Sequence, residues 1–189
     1  MKHAFKEWAV ICQALAEGRQ ALILRKGGIA EHGGQFQVEQ TRFWLYPTYV
    51  HQQQTGVKPE AASLLGRVTT AKAPEGVLRI SHFAEVIGTY HVRDLAAALQ
   101  LDHLHVWSAE TVRSRFAYRQ PGLYVLPVRV HRAEQPIDLA ELPIYAGCRT
   151  WVELDRELET ANASQVLAEE HLQDLVNNLN LRLKPVALA

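Results

Sequence analysis

The chain has 189 residues, and its 20 lysines and arginines balance its 20 aspartates and glutamates. Apolar residues make up 48% of it, which is ample for the core of one soluble globular domain. No apolar run approaches the ~20 residues that a membrane-spanning helix needs, and the N-terminal segment lacks the apolar centre of a cleavable signal. We therefore expect a cytoplasmic protein in which Cys12 and Cys148 are small hydrophobic residues and not a disulfide.

An apolar stripe with helical spacing opens the chain and predicts a helix over residues 3–17. Its members recur every three or four residues: Phe5, Trp8, Cys12 and Leu15. Strand-like segments with glycine pairs between them come next, and this pattern predicts a hairpin with a loose connection. The predicted strands cover residues 20–26, 35–39 and 41–50.

The rest of the chain alternates short helices and strands. Further helices are predicted over residues 59–65, 93–100, 109–118 with Ser108 as the cap, and 164–179 with Ser164 as the cap. Further strands are predicted over residues 77–92, 123–131 and 149–154. Because no run of βαβ units with glycine-rich phosphate turns appears, the fold class is predicted to be α+β. We expect a bent, largely antiparallel sheet with flanking helices and a peripheral C-terminal helix.

The predicted domain organisation follows the charge distribution. Residues 1–155 are expected to form a single α+β domain, and residues 156–189 an acidic linker and a C-terminal amphipathic helix. Residues 153–174 hold seven acids and one base, so the remainder of the chain is mildly basic. The apolar face of the final helix must pack on the body or on another subunit, which makes a homo-oligomer through this helix an expectation.

A polar rim at the end of the predicted hairpin is the candidate ligand-binding site. Two cations end the first strand, and the glycines after them would let a ligand approach the backbone closely. If the two extended segments are sheet neighbours, these cations converge with the polar side chains that close the second segment. The candidate ligand-binding residues are Arg25, Lys26, Glu39, Arg42, Tyr49, His51 and Gln52. The alternative is that Arg25 and Lys26 only pair with Glu31 and Glu39 across the hairpin.

Arginines interleaved with aromatic residues favour nucleic-acid recognition. A guanidinium group suits phosphate geometry, and an aromatic face can stack on a base. The candidate nucleic-acid contacts are Arg115, Arg119, Arg129 and Arg132.

Known catalytic and metal-binding patterns are not found in the sequence. An Mrr-like nuclease needs an acid two residues before a lysine, and none of the six lysines has one. His103 and His105 could face one side of a strand, but no third ligand is evident. Neither a Gly-x-Ser-x-Gly motif nor a phosphate-binding Gly-x4-Gly-Lys-Ser/Thr loop is present. We therefore assign no catalytic residue, metal ligand or cofactor, and we predict no DNA cleavage with Mg²⁺ or Mn²⁺.

Four blocks of the sequence resemble an uncharacterised bacterial family known as domain of unknown function 1802. The blocks are residues 5–9 (FKEWA), 24–29 (LRKGGI), 43–52 (FWLYPTYVHQ) and 147–154 (GCRTWVEL). The resemblance spans about residues 4–155. It implies a small bacterial protein, sometimes associated with Mrr-like restriction endonuclease domains, and it supplies no catalytic residues.

Three classes of function stay open at this point. The favoured one is a nucleic-acid-binding accessory module associated with restriction–modification or defence, whose partner would be nucleic acid or a restriction-endonuclease-like protein. The alternative is a protein-interaction or structural domain without catalytic activity. The third is an enzyme of unrecognised type, which a deep pocket that collects Arg25, Glu39 and His51 would indicate.

Overall fold

The computed structural model describes residues 1–26, 38–50, 52–147 and 149–186. The strands in these ranges are β1 (His3–Trp8), β2 (Leu22–Arg25), β3 (Arg42–Thr48), β4 (Val77–Val86), β5 (Tyr90–Val92), β6 (Leu123–Ala140), β7 (Trp151–Glu153) and β8 (Ser164–Gln165). The helices are α1 (Ala9–Ala16), α2 (Ala62–Thr70), α3 (Leu95–Leu99), α4 (Ala109–Ala117) and α5 (Glu169–Arg182). The predicted α+β class is confirmed.

The strands form one curled sheet in the order β2-β6-β4-β3-β1-β7, and β5 and β8 also pair with β6. Only β1 and β3 run parallel among the described strand pairs, so the sheet is largely antiparallel, as predicted. The long strand β6 pairs with β2 and β5 through its first residues and with β4 through the rest. A register shift between Ile80 and His82 interrupts the β4–β6 ladder. Such irregularities increase the local bend and twist of a sheet.

Both faces of the central strands are covered. In β3, Phe43 and Leu45 belong to the larger hydrophobic cluster, while Trp44 and Tyr46 belong to a second one. Since successive side chains of a strand point to opposite faces, the two clusters lie on opposite sides of the sheet. Helix α5 closes part of the larger cluster, because Leu179 is fully buried in it and Tyr90 Oη donates a hydrogen bond to Asn180 Oδ1 at 2.8 Å.

The single helix predicted over residues 3–17 is wrong in its first half. Residues His3–Trp8 form β1, which pairs with β3 and β7, and α1 begins at Ala9. Phe5 lies in β1 and Cys12 in α1, so the apparent helical spacing between them spans the junction of a strand and a helix. The two ladders supply the hydrogen bonds that a first helical turn would otherwise make.

Two further expectations need correction. Ser164 does not cap the last helix but pairs with β6 as part of β8, and α5 begins at Glu169. The predicted extended segments 20–26 and 41–50 are not sheet neighbours as supposed, since β2 pairs with β6 while β3 pairs with β1 and β4. Residues 27–37, which hold both glycine pairs and Glu31, lie outside the described part of the chain.

Candidate functional site

A cavity of about 890 Å³ opens where the β1–α1 junction faces the ends of β3 and α2 and the segment before β7. Its lining contains more cations than carboxylates among the described residues. The cations are Lys6, Arg25, Lys72, Arg79, Arg115 and Arg149. The carboxylates are Glu7, Glu75 and Glu141. A pocket of this volume is in the range that accommodates a small-molecule ligand or a single nucleotide.

Glu7 is the buried carboxylate of the cavity, with a side chain only 1% exposed. It lies on the same face of β1 as Phe5, next to the point where the chain turns into α1. Its Oε1 atom accepts a hydrogen bond from the Trp8 backbone N–H at 2.8 Å, while Oε2 has no hydrogen-bond partner among the described residues. A buried carboxylate oxygen left without a donor is costly.

Arg25 approaches this carboxylate from the end of β2. Its Nη1 atom lies 3.7 Å from Glu7 Oε2, and Nη2 donates a hydrogen bond to Thr150 Oγ1 at 2.5 Å. The guanidinium group also lies over the Phe5 ring, 4.9 Å from its centroid. The pair is therefore an ion contact without a direct hydrogen bond, and Arg25 Nε is left without a partner.

Arg115 brings a second guanidinium group to the cavity from α4. It stacks on Trp107 at 3.7 Å from the ring centroid and lies 5.5 Å from the centroid of the Trp8 ring. Its Nη1 atom donates a hydrogen bond to the Leu24 carbonyl at 3.3 Å. Burial lowers the pKa of Arg115 to about 10, Glu7 opposes this shift, and Arg25 adds to it.

Glycine at position 56 permits the packing that holds these rings. A Cβ atom there would lie 2.5 Å from Cζ3 of Trp8, so any other residue would push the indole away. Trp8 in turn meets Trp107 edge to face, with 4.7 Å between ring centroids. Both rings thus pack against the guanidinium group of Arg115.

The other wall of the cavity is polar and aromatic. Tyr46 Oη donates a hydrogen bond to Glu141 at 3.0 Å, and burial raises the pKa of Tyr46. Thr48 Oγ1 donates to the Glu7 carbonyl at 3.0 Å. Tyr49 lies under the Lys72 ammonium group, 5.1 Å from the ring centroid, and burial raises its pKa.

The charges at the inner end of the cavity do not balance. Glu7 is the one carboxylate that approaches Arg25 or Arg115 within 4 Å in the described part of the chain. Buried charges in proteins are normally paired, so two guanidinium groups beside one carboxylate leave one positive charge for an anion from outside. We call Glu7, Arg25 and Arg115 the cavity cluster.

Three of the residues proposed from the sequence line this cavity: Arg25, Tyr49 and Arg115. They meet there by a different route from the predicted hairpin, because β2 and β3 are separated by other strands of the sheet. His51 lies outside the described residues. Gln52 lies at the start of α1, where its Oε1 atom accepts a hydrogen bond from the Val10 N–H at 3.3 Å.

The remaining proposed residues lie elsewhere. Lys26 is not part of the cavity lining and donates hydrogen bonds to the carbonyls of Phe116, Gln120 and Gly122 at and after the end of α4. Exposed positions are occupied by Glu39, Arg42, Arg119 and Arg132. Among these, Arg42 pairs with Glu85, and the backbone of Arg119 is left-handed with a φ of 60°.

Arg129 is also engaged by the chain itself, since it pairs with Glu85 and Glu169.

Sequence reasoning missed the central carboxylate. The sequence pattern predicts that Glu7 lies in an amphipathic helix, where a single acidic residue does not indicate a binding site. Its position two residues after Phe5 would have been informative only if the strand had been recognised, because alternate residues of a strand share a face. Likewise, His103 and His105 do not share a strand, since Asp102–Leu104 is a short 3-10 turn with His103 exposed and His105 buried.

The described residues hold no candidate metal site and no candidate membrane-spanning helix. No cluster of three or more metal-ligating His, Cys, Asp or Glu side chains occurs in them. None of their helices has the length and apolar character needed to cross a membrane.

The fold and the cavity define a small α+β protein with a curled sheet and a cation-rich pocket on one side of it. The chain belongs to the family described as Domain of unknown function (DUF1802), whose model matches residues 4–178 and so includes most of α5. No curated protein matches the chain.

Among solved structures, the chain is similar to the ASCH protein from Zymomonas mobilis, with 14% identity, a TM-score of 0.43 and coverage of 93% of each chain. A serine-to-alanine variant of that protein matches with 14% identity, a TM-score of 0.44 and coverage of 93% of this chain and 94% of the other.

Proposed function

We propose that this chain binds nucleic acid, with one nucleotide of a single strand in the cavity and its phosphate against Arg115 and Arg25. The observation that carries the proposal is the guanidinium group of Arg115, which no carboxylate of the described residues balances within 4 Å and which lines a cavity large enough for a nucleotide. Arginine presents several N–H groups in a plane and binds phosphate in a bidentate manner.

The cavity offers groups for the other parts of a nucleotide. Trp8 and Tyr49 contribute aromatic surface to the lining, and base–aromatic stacking contributes ~1–3 kcal/mol per base. Glu7 Oε2 needs a hydrogen-bond donor, which the N–H groups of a base would supply. A duplex would not deliver a single base into such a pocket without unpairing.

Two observations support this proposal. A deep pocket that collects Arg25, Glu39 and His51 would indicate an enzyme, but Glu39 is exposed and not part of the lining. The surface arginines Arg42 and Arg129 are paired, so the nucleic acid is expected at the cavity and not along the sheet face. The association with restriction–modification has only the family resemblance behind it and is not part of the proposal.

The test is a binding titration by fluorescence anisotropy with labelled single-stranded DNA, single-stranded RNA and duplex DNA of equal length. We expect single strands to bind more tightly than duplex, and the affinity to fall as salt is raised from about 50 to about 200 mM. Arg115→Met keeps an apolar side chain over Trp107 and removes the charge. It should weaken binding by roughly 10-fold or more, since hydrogen bonds to charged groups contribute ~1.5–3 kcal/mol.

Arg113→Met is the matched control, because Arg113 lies on the same helix α4 but is exposed and outside the cavity lining. Its affinity should stay close to that of the unchanged protein. No binding of any strand at low salt, or equal losses in the two variants, would refute the proposal.

A further inference from the structure

We infer that the base bound in the cavity is guanine, which Glu7 and Arg25 recognise through its unpaired hydrogen-bonding edge. This inference rests on the proposed function and deepens it, because it specifies which base the pocket accepts. Its basis is the order of hydrogen-bond donors and acceptors that these two side chains offer to a ligand.

Glu7 offers acceptors that the described residues do not use up. Both Glu7 and Arg25 line the cavity. The backbone N–H of Trp8 donates to Oε1 at 2.8 Å, and Oε2 has no hydrogen-bond partner among the described residues. Since a carboxylate has about four lone-pair sites, each oxygen of Glu7 can accept at least one further hydrogen bond. A ligand that donates to both oxygens would remove the cost of a buried acceptor without a donor.

Arg25 adds a donor beside these acceptors. Its Nη1 atom lies 3.7 Å from Glu7 Oε2, which is too far for a hydrogen bond, so the two groups do not satisfy each other. Thr150 Oγ1 accepts a hydrogen bond from Nη2, and the guanidinium group lies over the Phe5 ring. These two contacts hold the Arg25 side chain next to Glu7. Arg25, Oε2 and Oε1 therefore present one donor followed by two acceptors.

Guanine carries the complementary pattern on its Watson–Crick edge. Its O6 atom accepts a hydrogen bond, and the neighbouring N1–H and N2–H₂ groups donate. O6 can therefore meet Arg25, while N1–H and N2–H₂ meet Oε2 and Oε1 of Glu7. Thymine and uracil would place a second carbonyl oxygen against Oε1, and adenine and cytosine have one donor group on this edge. Guanine is thus the standard base that satisfies all three groups.

The same arrangement leaves room for the phosphate. Arg115 takes no part in the three contacts with the base and stays available to the phosphate. Arg25 has five N–H donors, of which one suffices for O6. The carboxylate of Glu7, which would repel a phosphate, faces the N–H groups of the base instead. In a duplex this edge of guanine is paired with cytosine, so the pocket can recognise guanine only in an unpaired strand.

The experiment measures, by fluorescence anisotropy, the affinity of the unchanged protein for a short thymidine strand with one variable central base. The variable bases are guanine, adenine, cytosine, thymine, hypoxanthine and N1-methylguanine. We expect the guanine strand to bind roughly 10-fold or more tightly than the adenine, cytosine and thymine strands, the order of discrimination that a good bidentate contact provides. Hypoxanthine, which lacks only the N2–H₂ group of guanine, should lose part of this preference. N1-methylguanine, which lacks the N1–H donor, should lose all of it.

Glu7→Gln separates base recognition from a structural role. The substitution replaces one acceptor with a donor and removes a negative charge from the cavity. The preference for guanine should disappear, while the strands with other bases bind as tightly as before or more tightly. A purely structural role would instead weaken the binding of all strands alike. Glu110→Gln is the control that should keep the preference, because Glu110 is exposed on α4 and lies outside the cavity lining.

The possible results separate this inference from the proposed function. Equal affinities for all strands, or tightest binding of another base, would overturn guanine recognition, and binding that still depends on Arg115 would then leave nucleic-acid binding in place. A preference that N1-methylguanine shares would overturn the assignment of recognition to Glu7 and Arg25. Binding of no strand would refute both. If Glu7→Gln fails to fold, as thermal unfolding would reveal, the two modified bases decide the question with the unchanged protein.

Discussion

Two arginine clusters of this protein contain the same residue types but differ in how their charges are balanced. In the first, which we call the sheet-face network, Arg42 and Arg129 meet Glu85 and Glu169 across β3, β4, β6 and the start of α5. Arg42 lies 2.8 Å from Glu85, and Arg129 lies 3.3 Å from Glu85 and 2.6 Å from Glu169. Two cations thus have two carboxylates, all at close range and at least partly in solvent.

In the cavity cluster, by contrast, two arginines share one carboxylate, and the ion pair is longer, at 3.7 Å. The side chain of Glu7 is almost fully buried, and Arg25 is only 18% exposed. A network that the chain completes by itself stabilises a structure, here the contact of α5 with the sheet. A buried cluster that the described residues leave incomplete is where an outside anion gains most, because unbalanced buried charge is costly.

Substitution of Glu7 should have the largest effect. Glu7→Gln keeps the shape of the side chain and leaves two buried guanidinium groups without a carboxylate. We expect a loss of ~3–5 kcal/mol in the free energy of unfolding, as found when one partner of a buried ion pair is removed. Urea denaturation measures this loss, and added phosphate should recover part of it by mass action.

Glu75→Gln is the matched control, since Glu75 lines the mouth of the same cavity but is exposed. Its effect should stay within about 0.5 kcal/mol. A loss of less than about 1 kcal/mol in Glu7→Gln would show that the charges of the cavity cluster are balanced in another way, and the contrast with the sheet-face network would fail.

Two buried histidines also make the stability of the protein depend on pH. Their contribution has to be known before acid titration can compare the cavity cluster with the sheet-face network. Burial lowers the pKa of His82 and of His105 to about 4. Both ring nitrogens of His105 lack hydrogen-bond partners, and the residue is 4% exposed. Because the unfolded chain takes up these protons near pH 6.5, stability is full above that pH and falls as the pH decreases towards 4.

For His105 alone the decrease should reach ~3 kcal/mol, from a pKa difference of about 2.5 units. His105→Leu should flatten the dependence of unfolding free energy on pH between about 6.5 and 4, while His103→Leu, at an exposed position, should leave it unchanged. Identical pH profiles in the two variants would show that His105 is protonated without cost in the folded protein.

The fold class was predictable from the sequence, whereas the secondary structure near the two ends of the chain was predicted poorly. Alternation over residues 123–131 and the Ser108 cap of α4 are local signals, and both are found, with Ser108 Oγ accepting a hydrogen bond from the Thr111 N–H at 3.2 Å. The strand at His3–Trp8 depends on pairing with β3 and β7, which are distant in sequence. Helical spacing alone could not reveal that pairing.

The candidate site shows the same division between local and long-range information. Arg25 and Tyr49 were proposed because they end extended segments, which is a local property. Arg25 ends β2 and lines the cavity, whereas Lys26 follows the strand and does not line it, and the sequence does not reveal the partners of either residue. Arg115 comes from a helix some 90 residues later in the chain and Glu7 from a strand mistaken for a helix, so their meeting is a property of the sheet topology.

The smallest effect is expected in the sheet-face network. Arg129→Met keeps the aliphatic contacts of β6 and removes the pairs with Glu85 and Glu169. The cost should be under about 1 kcal/mol, because solvent and salt screen exposed pairs. The hydrogen bond from Arg129 holds the pKa of Glu169 below its ordinary value. The contribution of this pair to stability is therefore present above the ordinary pKa of glutamate and is lost as the pH falls through the lowered pKa.

Urea denaturation at low and high salt measures the difference in the free energy of unfolding. A large and salt-independent loss in Arg129→Met would show that the sheet-face network behaves like the cavity cluster, and strand binding that falls with it would place nucleic acid on the sheet face instead.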